Sequence, residues 1–285
     1  MAVTDDPLVG LGYARPSERK DFIRIEGRDA TSASAIVAEE VPVALVYNGR
    51  PYVVVMGSPT DLEDLAVGFS VTEGVVAGPG DVRGVAVVRA SHGIEVQMEV
   101  SAADAERLSD RARGLVSRTG CGLCGVETIN DALRVPGVVG NSLEVSPDAV
   151  WRAARELSRR QMVNNETSTV HGAAWATPDG EVHVVREDVG RHNALDKLVG
   201  SQVLAKAMPL HDRILMVSGR VSFEIVQKAA VAGVPIIAAV SAPSDLAIEA
   251  ADRLGVTLVG FLRGDGFNVY SHDDRIDLRD LSGLG

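Results

Sequence analysis

A chain of 285 residues, 46% hydrophobic and 24% charged, has the composition of an ordinary globular protein and the length of one large domain or two modest ones. Its net charge of −11 argues against a nucleic-acid groove as the main function, although a local basic pocket is compatible with it. The first residues, Met1-Ala2-Val3-Thr4-Asp5-Asp6, lack the basic and apolar regions of a secretory signal, and the most apolar stretch, 229–240, is broken by Gly233 and Pro235 and is too short to span a bilayer. A cytoplasmic protein without membrane or nucleic-acid partners is expected.

In chain order, residues 1–20 read as a flexible polar arm. Extended segments follow. Residues 22–26 alternate, 41–46 are apolar, Asn48-Gly49 signals a tight hairpin turn, and 52–56 return. A helix is predicted from Thr60, with Thr60 and Glu63 as a capping box and Leu62, Leu65, Ala66 and Phe69 at helical spacing. A second hairpin turns at Ser91-His92-Gly93, and a polar-faced helix over 102–116 delivers the chain to a glycine-rich loop. Another helix opens with Ser146 as N-cap and Pro147 at its first position. Beyond it come two strands, 172–176 and 182–186, joined by Pro178-Asp179-Gly180. Helix 191–199, strand 214–217, helix 223–231, strand 235–240, helix 245–254 and strand 257–262 complete the pattern. Uncharged runs such as Ile214-Leu215-Met216-Val217 belong to strands buried on both faces, hence to a parallel sheet covered by helices. The expected fold is a three-layer α/β domain over 126–285, preceded by a β-rich subdomain over 21–125.

The glycine-rich loop holds the chain's two cysteines, Cys121 and Cys124, within Gly120-Cys121-Gly122-Leu123-Cys124-Gly125. Glycine-flanked backbone can move and keep a thiol open to solvent, which makes sulfur chemistry the leading hypothesis. A redox pair and half of a zinc site are the rivals, and a structural disulfide across so short a loop is the weakest reading. A zinc deaminase needs H-x-E before P-C-x-x-C, whereas His171 comes after the cysteines and no Glu follows it at that spacing, so no zinc is expected.

In an open α/β sheet, ligands bind at the carboxyl ends of the strands. Three such ends carry small residues and arginines: Ser218-Gly219-Arg220, Ser241-Ala242-Pro243-Ser244, and Phe261-Leu262-Arg263-Gly264-Asp265-Gly266. Singly, each reads better as a capped turn with surface arginines; three on one edge make a phosphate or nucleotide seat an equal reading. No Walker A or G-x-G-x-x-G sequence is present. The most polar segment runs from Arg186 to Lys197, where His192 and Asp196 lie four apart, a spacing that could orient an imidazole.

These blocks, in this order, resemble the formate dehydrogenase accessory sulfurtransferases, the FdhD family. The resemblance rests on Thr119-Gly120-Cys121-Gly122-Leu123-Cys124-Gly125, on Arg186-Glu187-Asp188-Val189-Gly190-Arg191-His192-Asn193-Ala194-Leu195-Asp196-Lys197, on Ser218-Gly219-Arg220, on Ser241-Ala242-Pro243, and on Gly260-Phe261-Leu262-Arg263-Gly264. It implies a cytidine-deaminase-like fold without the deaminase zinc, usually as a homodimer. It implies a carrier that takes persulfide sulfur from a cysteine desulfurase and delivers it to a molybdenum bis-guanine-dinucleotide cofactor destined for formate dehydrogenase. Cys121 then matches the persulfide carrier, with Cys124 beside it. Phe261, Leu262, Arg263, Gly264, Asp265 and Gly266 match the cofactor-binding segment, and a guanine nucleotide is the expected analogue. A CxxC thiol-disulfide oxidoreductase and a molybdenum-cofactor chaperone whose cysteines only grip the metal are the alternatives.

Overall fold

The computed structural model describes residues 16–76, 78–112, 136–140 and 143–279. Strands β1 (Ser17–Glu26) and β2 (Asp29–Ala38) form a separate antiparallel hairpin. Strands β3 (Val41–Tyr47), β4 (Arg50–Gly57), β5 (Val82–Ala90) and β6 (Gly93–Val100) form a sheet in the order β4-β3-β6-β5, with α1 (Leu62–Thr72) between β4 and β5 in sequence. Helix α2 (Ala102–Ala112) follows. Asn48 and Gly49 both take positive φ, 46° and 77°, as a tight hairpin turn requires. The Asn48 side chain also exchanges two hydrogen bonds with the Val100 backbone, so the turn is tied to the end of β6.

The second sheet contains β7 (His171–Ala176), β8 (Val182–Asp188), β9 (Ile214–Val217), β10 (Ile236–Ala239), β11 (Thr257–Arg263) and β12 (Gly266–Ser271), in the order β12-β11-β10-β9-β7-β8. Its centre, β9-β10-β11, is parallel, while β7 and β12 join antiparallel on either side. Every residue of β9 and β10 is buried, which explains their uncharged sequences. Side chains alternate between two cores. Leu215, Val217, Ile237 and Ala239 face α5 (Arg191–Leu204), α6 (Phe223–Val231) and α7 (Asp245–Leu254). Ile214, Met216, Ile236 and Ala238 face α3 (Pro147–Arg160), whose Val150, Ala153, Ala154 and Leu157 recur at helical spacing. The Ser146 hydroxyl caps α3 by accepting from Ala149 N at 3.2 Å.

The two sheets share one core. Val43, Leu45, Leu62 and Leu65 from the first half belong to the same cluster as Leu195, Leu198 and Val226 from the second. The boundary expected near residue 125 therefore divides the sequence and not the hydrophobic interior. Helices α1 and α5 cross at two glycines: a Cβ on Gly68 would overlap the Asp196 carbonyl, and one on Gly200 the Asp64 carbonyl. Backbone meets backbone there, so no side chain can yield. Gly200→Val is expected to destabilise the fold by about 3 kcal/mol or more. Urea unfolding checks this, and a loss under about 1 kcal/mol would show that the crossing can open.

Four sequence expectations are corrected. Ser17, Glu18, Arg19 and Lys20 belong to β1 and not to a loose arm. Thr60 does not cap α1; the N-cap is Asp61, held at φ 50° with no side-chain cap hydrogen bond. Helix α4 (Met162–Thr167) was not foreseen, because six residues are too short to show a period. Strand β12 is a further element without a sequence signal, since the segment from Phe261 to Gly266 is expected only as a strand end and loop; Gly264 and Asp265 form the turn of a β11-β12 hairpin, with Gly264 at φ 57°. Among the described residues, no helix is long and apolar enough to cross a membrane.

Candidate functional site

The parallel register of β9, β10 and β11 brings their carboxyl ends to one edge of the sheet. The turns that leave them are zipped together by backbone. Val221 N donates to Ala242 O at 3.2 Å, Ser244 N to Val221 O at 2.9 Å, and Phe261 N to Ser241 O at 3.2 Å. Gly260 is packed so closely that a Cβ would lie 2.9 Å from Pro243 Cδ and 3.3 Å from Ser241 O. Ser218 fastens the first turn to the start of β7: its N–H donates to Gly172 O, and its Oγ accepts from Gly172 N, both at 2.9 Å. Ser241 and Phe261 are thus joined directly, and Ser218 lies on the turn that Val221 ties to Ala242. Leu262 turns into the core at 5% exposure, whereas Arg263, Gly264, Asp265 and Gly266 stand exposed on the hairpin turn. Phe261 holds a positive φ of 55° while exposing 43% of its surface, an uncommon conformation for a bulky residue.

Cationic side chains gather beside these turns. A Cβ on Gly219 would sit 3.1 Å from His171 Nδ1 and 3.6 Å from Arg191 Cβ, so the imidazole and the α5 start close tightly on the first turn. Arg220 is exposed on the same turn. Burial, and then the charges of Arg191, His192 and Arg220, push the His171 pKa below its ordinary value of 6.5. His192 Nε2 lies 2.8 Å from Glu224 Oε2 and 3.3 Å from Ser222 Oγ. Burial pushes the Glu224 carboxyl up, but the His192 hydrogen bond and charge outweigh it and hold its pKa below the ordinary value. Arg191 Nε is buried without a hydrogen-bond partner among the described residues, as is Nε2 of Gln161, whose amide lies against Gly172. Gln161 belongs to the α3 face of β7 and Arg191 to the α5 face, so each is a separate unpaired donor.

His171 also makes the site acid-sensitive. Its folded pKa is below 6.5, so the unfolded chain binds more protons, and stability falls as pH drops from 6.5 through the folded value. His171→Gln is expected to flatten urea-measured stability over that window while leaving its value at neutral pH nearly unchanged. An equally steep acid loss in the variant would place the titration elsewhere.

Most of the polar segment from Arg186 to Lys197 is consumed by folding. Arg186 Nε pairs with Asp64 at 2.7 Å, and Glu187 accepts from the Val163 and Asn164 N–H groups at the start of α4. Asp188 and Lys197, both fully buried, pair at 2.6 Å; Ser58 N donates to Asp188 Oδ2, and Lys197 Nζ donates to Ser58 O at 3.0 Å. Asn193 bridges Asp188 and Met56 O. Asp196 does not orient His192: it accepts from Lys228 Nζ and from Thr72 Oγ1, and Lys228 also reaches Glu73. Burial drives the Asp196 pKa up, and on Lys228 the charges of Asp196 and Glu73 overcome burial to drive the ammonium pKa up. Of this segment Arg191 and His192 are left for the site. Glu224 and Ser222 had no signal in the sequence, since nothing there shows that the α6 start faces α5. Cys121 and Cys124 lie outside the described residues.

The model of the FdhD/NarQ family matches residues 38–277. The chain belongs to the FdhD/NarQ family. It is 49% identical over 250 residues to the sulfur carrier protein FdhD of Bordetella petrii, covering 88% of this chain and 90% of that one. The FdhD of Xanthomonas euvesicatoria is 47% identical over 252 residues, covering 88% and 89%. Among solved structures, a chain from Desulfotalea psychrophila described as a formate dehydrogenase accessory protein superposes with a TM-score of 0.75 at 25% identity, covering 92% of this chain and all of that one. The FdhD/NarQ match spans both sheets and all three zipped turns.

Proposed function

We propose that this protein is a cytoplasmic sulfur carrier serving formate dehydrogenase. It works as a homodimer on a cytidine-deaminase-like scaffold without zinc, and it uses Cys121 to pass sulfur from a cysteine desulfurase to a molybdenum bis-guanine-dinucleotide. The names borne by relatives at 47–49% identity support the carrier role. The observation that carries the cofactor reading is the edge itself: three interlocked strand-end turns beside His171, Arg191 and Arg220, with a buried Arg191 Nε left unpartnered among the described residues. Such an edge offers guanidinium groups to an anion, as the phosphates of a dinucleotide require.

In the loading step, the Cys121 thiolate attacks the outer sulfur of the donor's cysteine persulfide. A new S–S bond forms on Cys121, the donor's S–S bond breaks, and the donor leaves as thiolate, which takes up the proton that Cys121 released. No electrons are gained or lost overall. A free thiol near pKa 8.5 is only about 3% thiolate at pH 7, so neighbouring positive charge would speed this attack. In delivery, Ser218, Arg220, Ser241, Phe261 and the exposed turn from Arg263 to Gly266 hold the cofactor, with Leu262 anchoring the segment in the core and the exposed Phe261 ring offering a face to guanine. Guanosine diphosphate is the accessible analogue. Isothermal titration is expected to show binding to the dimer, weakened about tenfold or more by Arg220→Glu and by Arg263→Glu, since each charge reversal replaces attraction with repulsion at the phosphates. Wild-type affinity in both variants would remove the edge from the cofactor site.

A further inference from the structure

The β1-β2 hairpin is long and bare. Ten consecutive cross-strand pairs run from Ser17↔Ala38 to Glu26↔Asp29, yet every β1 residue after Ser17 is exposed, with Ile23 at 62% and Ile25 at 64%. Among the described residues neither outer edge pairs with another strand, and the hairpin touches the body where β2 meets α4. A lone two-stranded ribbon is marginal in water, and an unpaired edge of this length is a template for another strand. Building on the homodimer of the proposed function, we infer that β1 pairs antiparallel with β1 of a second copy, centred on Ile23, to make a four-stranded sheet across the dimer.

The turn fixes which backbone groups are available. Gly27 and Arg28 form a two-residue turn with Gly27 at φ 64°, so the closing pair Glu26↔Asp29 is hydrogen-bonded within the hairpin. The N–H and C=O groups of Arg19, Asp21, Ile23 and Ile25 then point to the open edge. A two-fold axis through the sheet keeps each face on its own side, so it must pass through a residue and pair like faces. Charge selects among the possible centres. A centre at Ile23 sets Lys20 opposite Glu26, Glu18 opposite Arg28, and Phe22 opposite Arg24. A centre at Phe22 sets Lys20 against Arg24 and Glu18 against Glu26; one at Asp21 sets that carboxylate against itself; one at Arg24 sets Lys20 against Arg28. A centre at Ile25 keeps only Arg24 opposite Glu26, over a shorter overlap. Opposite charges directly across a strand pair stabilise it and like charges oppose it, so the Ile23 register, with two kinds of opposite-charge pair over a longer overlap, is favoured. On the other face Ile23 meets Ile23 of the second copy, flanked on each side by Ile25 opposite Asp21.

Sedimentation equilibrium of the full chain tests this. Lys20→Glu and Glu26→Lys are each expected to raise the dimer dissociation constant by about tenfold or more, because every pair occurs twice about the axis. The double variant K20E/E26K restores the opposite charges and is expected to regain wild-type association. These side chains are exposed and contribute no core contact, so the monomer fold is unaffected. Single variants that dimerise as tightly as the wild type would overturn the arm while leaving the homodimer intact, and a monomeric wild type would overturn both.

Discussion

Cys121→Ala is expected to abolish activation of formate dehydrogenase while the chain remains folded. The residue is one of two thiols in 285 residues, and glycine stands on either side of it in sequence. Alanine removes the only atom that can form a persulfide there and leaves everything else in place. Cys124→Ala is expected to impair activation less, since one carrier thiol remains. Formate dehydrogenase activity in cells complemented with each variant is the measurement, with circular dichroism as the check on folding. Full activity with Cys121→Ala would make the carrier assignment wrong.

The largest expected effect on stability comes from Lys197→Ala. Lys197 and Asp188 are both fully buried, and together with Ser58 they fasten the end of the first sheet to the second. Removing the ammonium leaves a buried carboxylate without its counter-charge, which costs about 3–5 kcal/mol, a large part of what holds a domain together. Replacing both members, as Lys197→Met with Asp188→Leu, removes the unpaired charge and is expected to cost less than the single variant. Urea unfolding separates the two. A single variant within about 1 kcal/mol of the wild type would show that the latch is not needed.

The regular part of the fold was legible because its signals are local. Residues 214–217 and 223–231 coincide with β9 and α6, since an uncharged run and an apolar helical period each report burial directly. Ser146 and Pro147 announced α3 through backbone chemistry confined to one turn. Thr60 misled because a capping box is a pattern of residue types, and here the backbone enters α1 through a left-handed Asp61. The polar segment was legible as unusual but not as structural. The partners that consume it, Asp64, Ser58 and Lys228, are 32 to 139 positions away in sequence. The seat divides in the same way. Its turns showed themselves as small residues after buried strands, whereas Glu224 joins it, through His192, by packing that no period in the chain records.

Sulfur itself gives the most direct test. The protein is incubated with a cysteine desulfurase and cysteine, and its intact mass is measured before and after addition of molybdenum bis-guanine-dinucleotide. A carrier gains the mass of a sulfur atom in the wild type and not in Cys121→Ala, and loses it once the cofactor is present. A thiol-disulfide oxidoreductase would instead lose two hydrogens as Cys121 and Cys124 join, and a chaperone would gain nothing. Either of those results, or a sulfur that stays on the protein after the cofactor binds, would contradict sulfur transfer through Cys121.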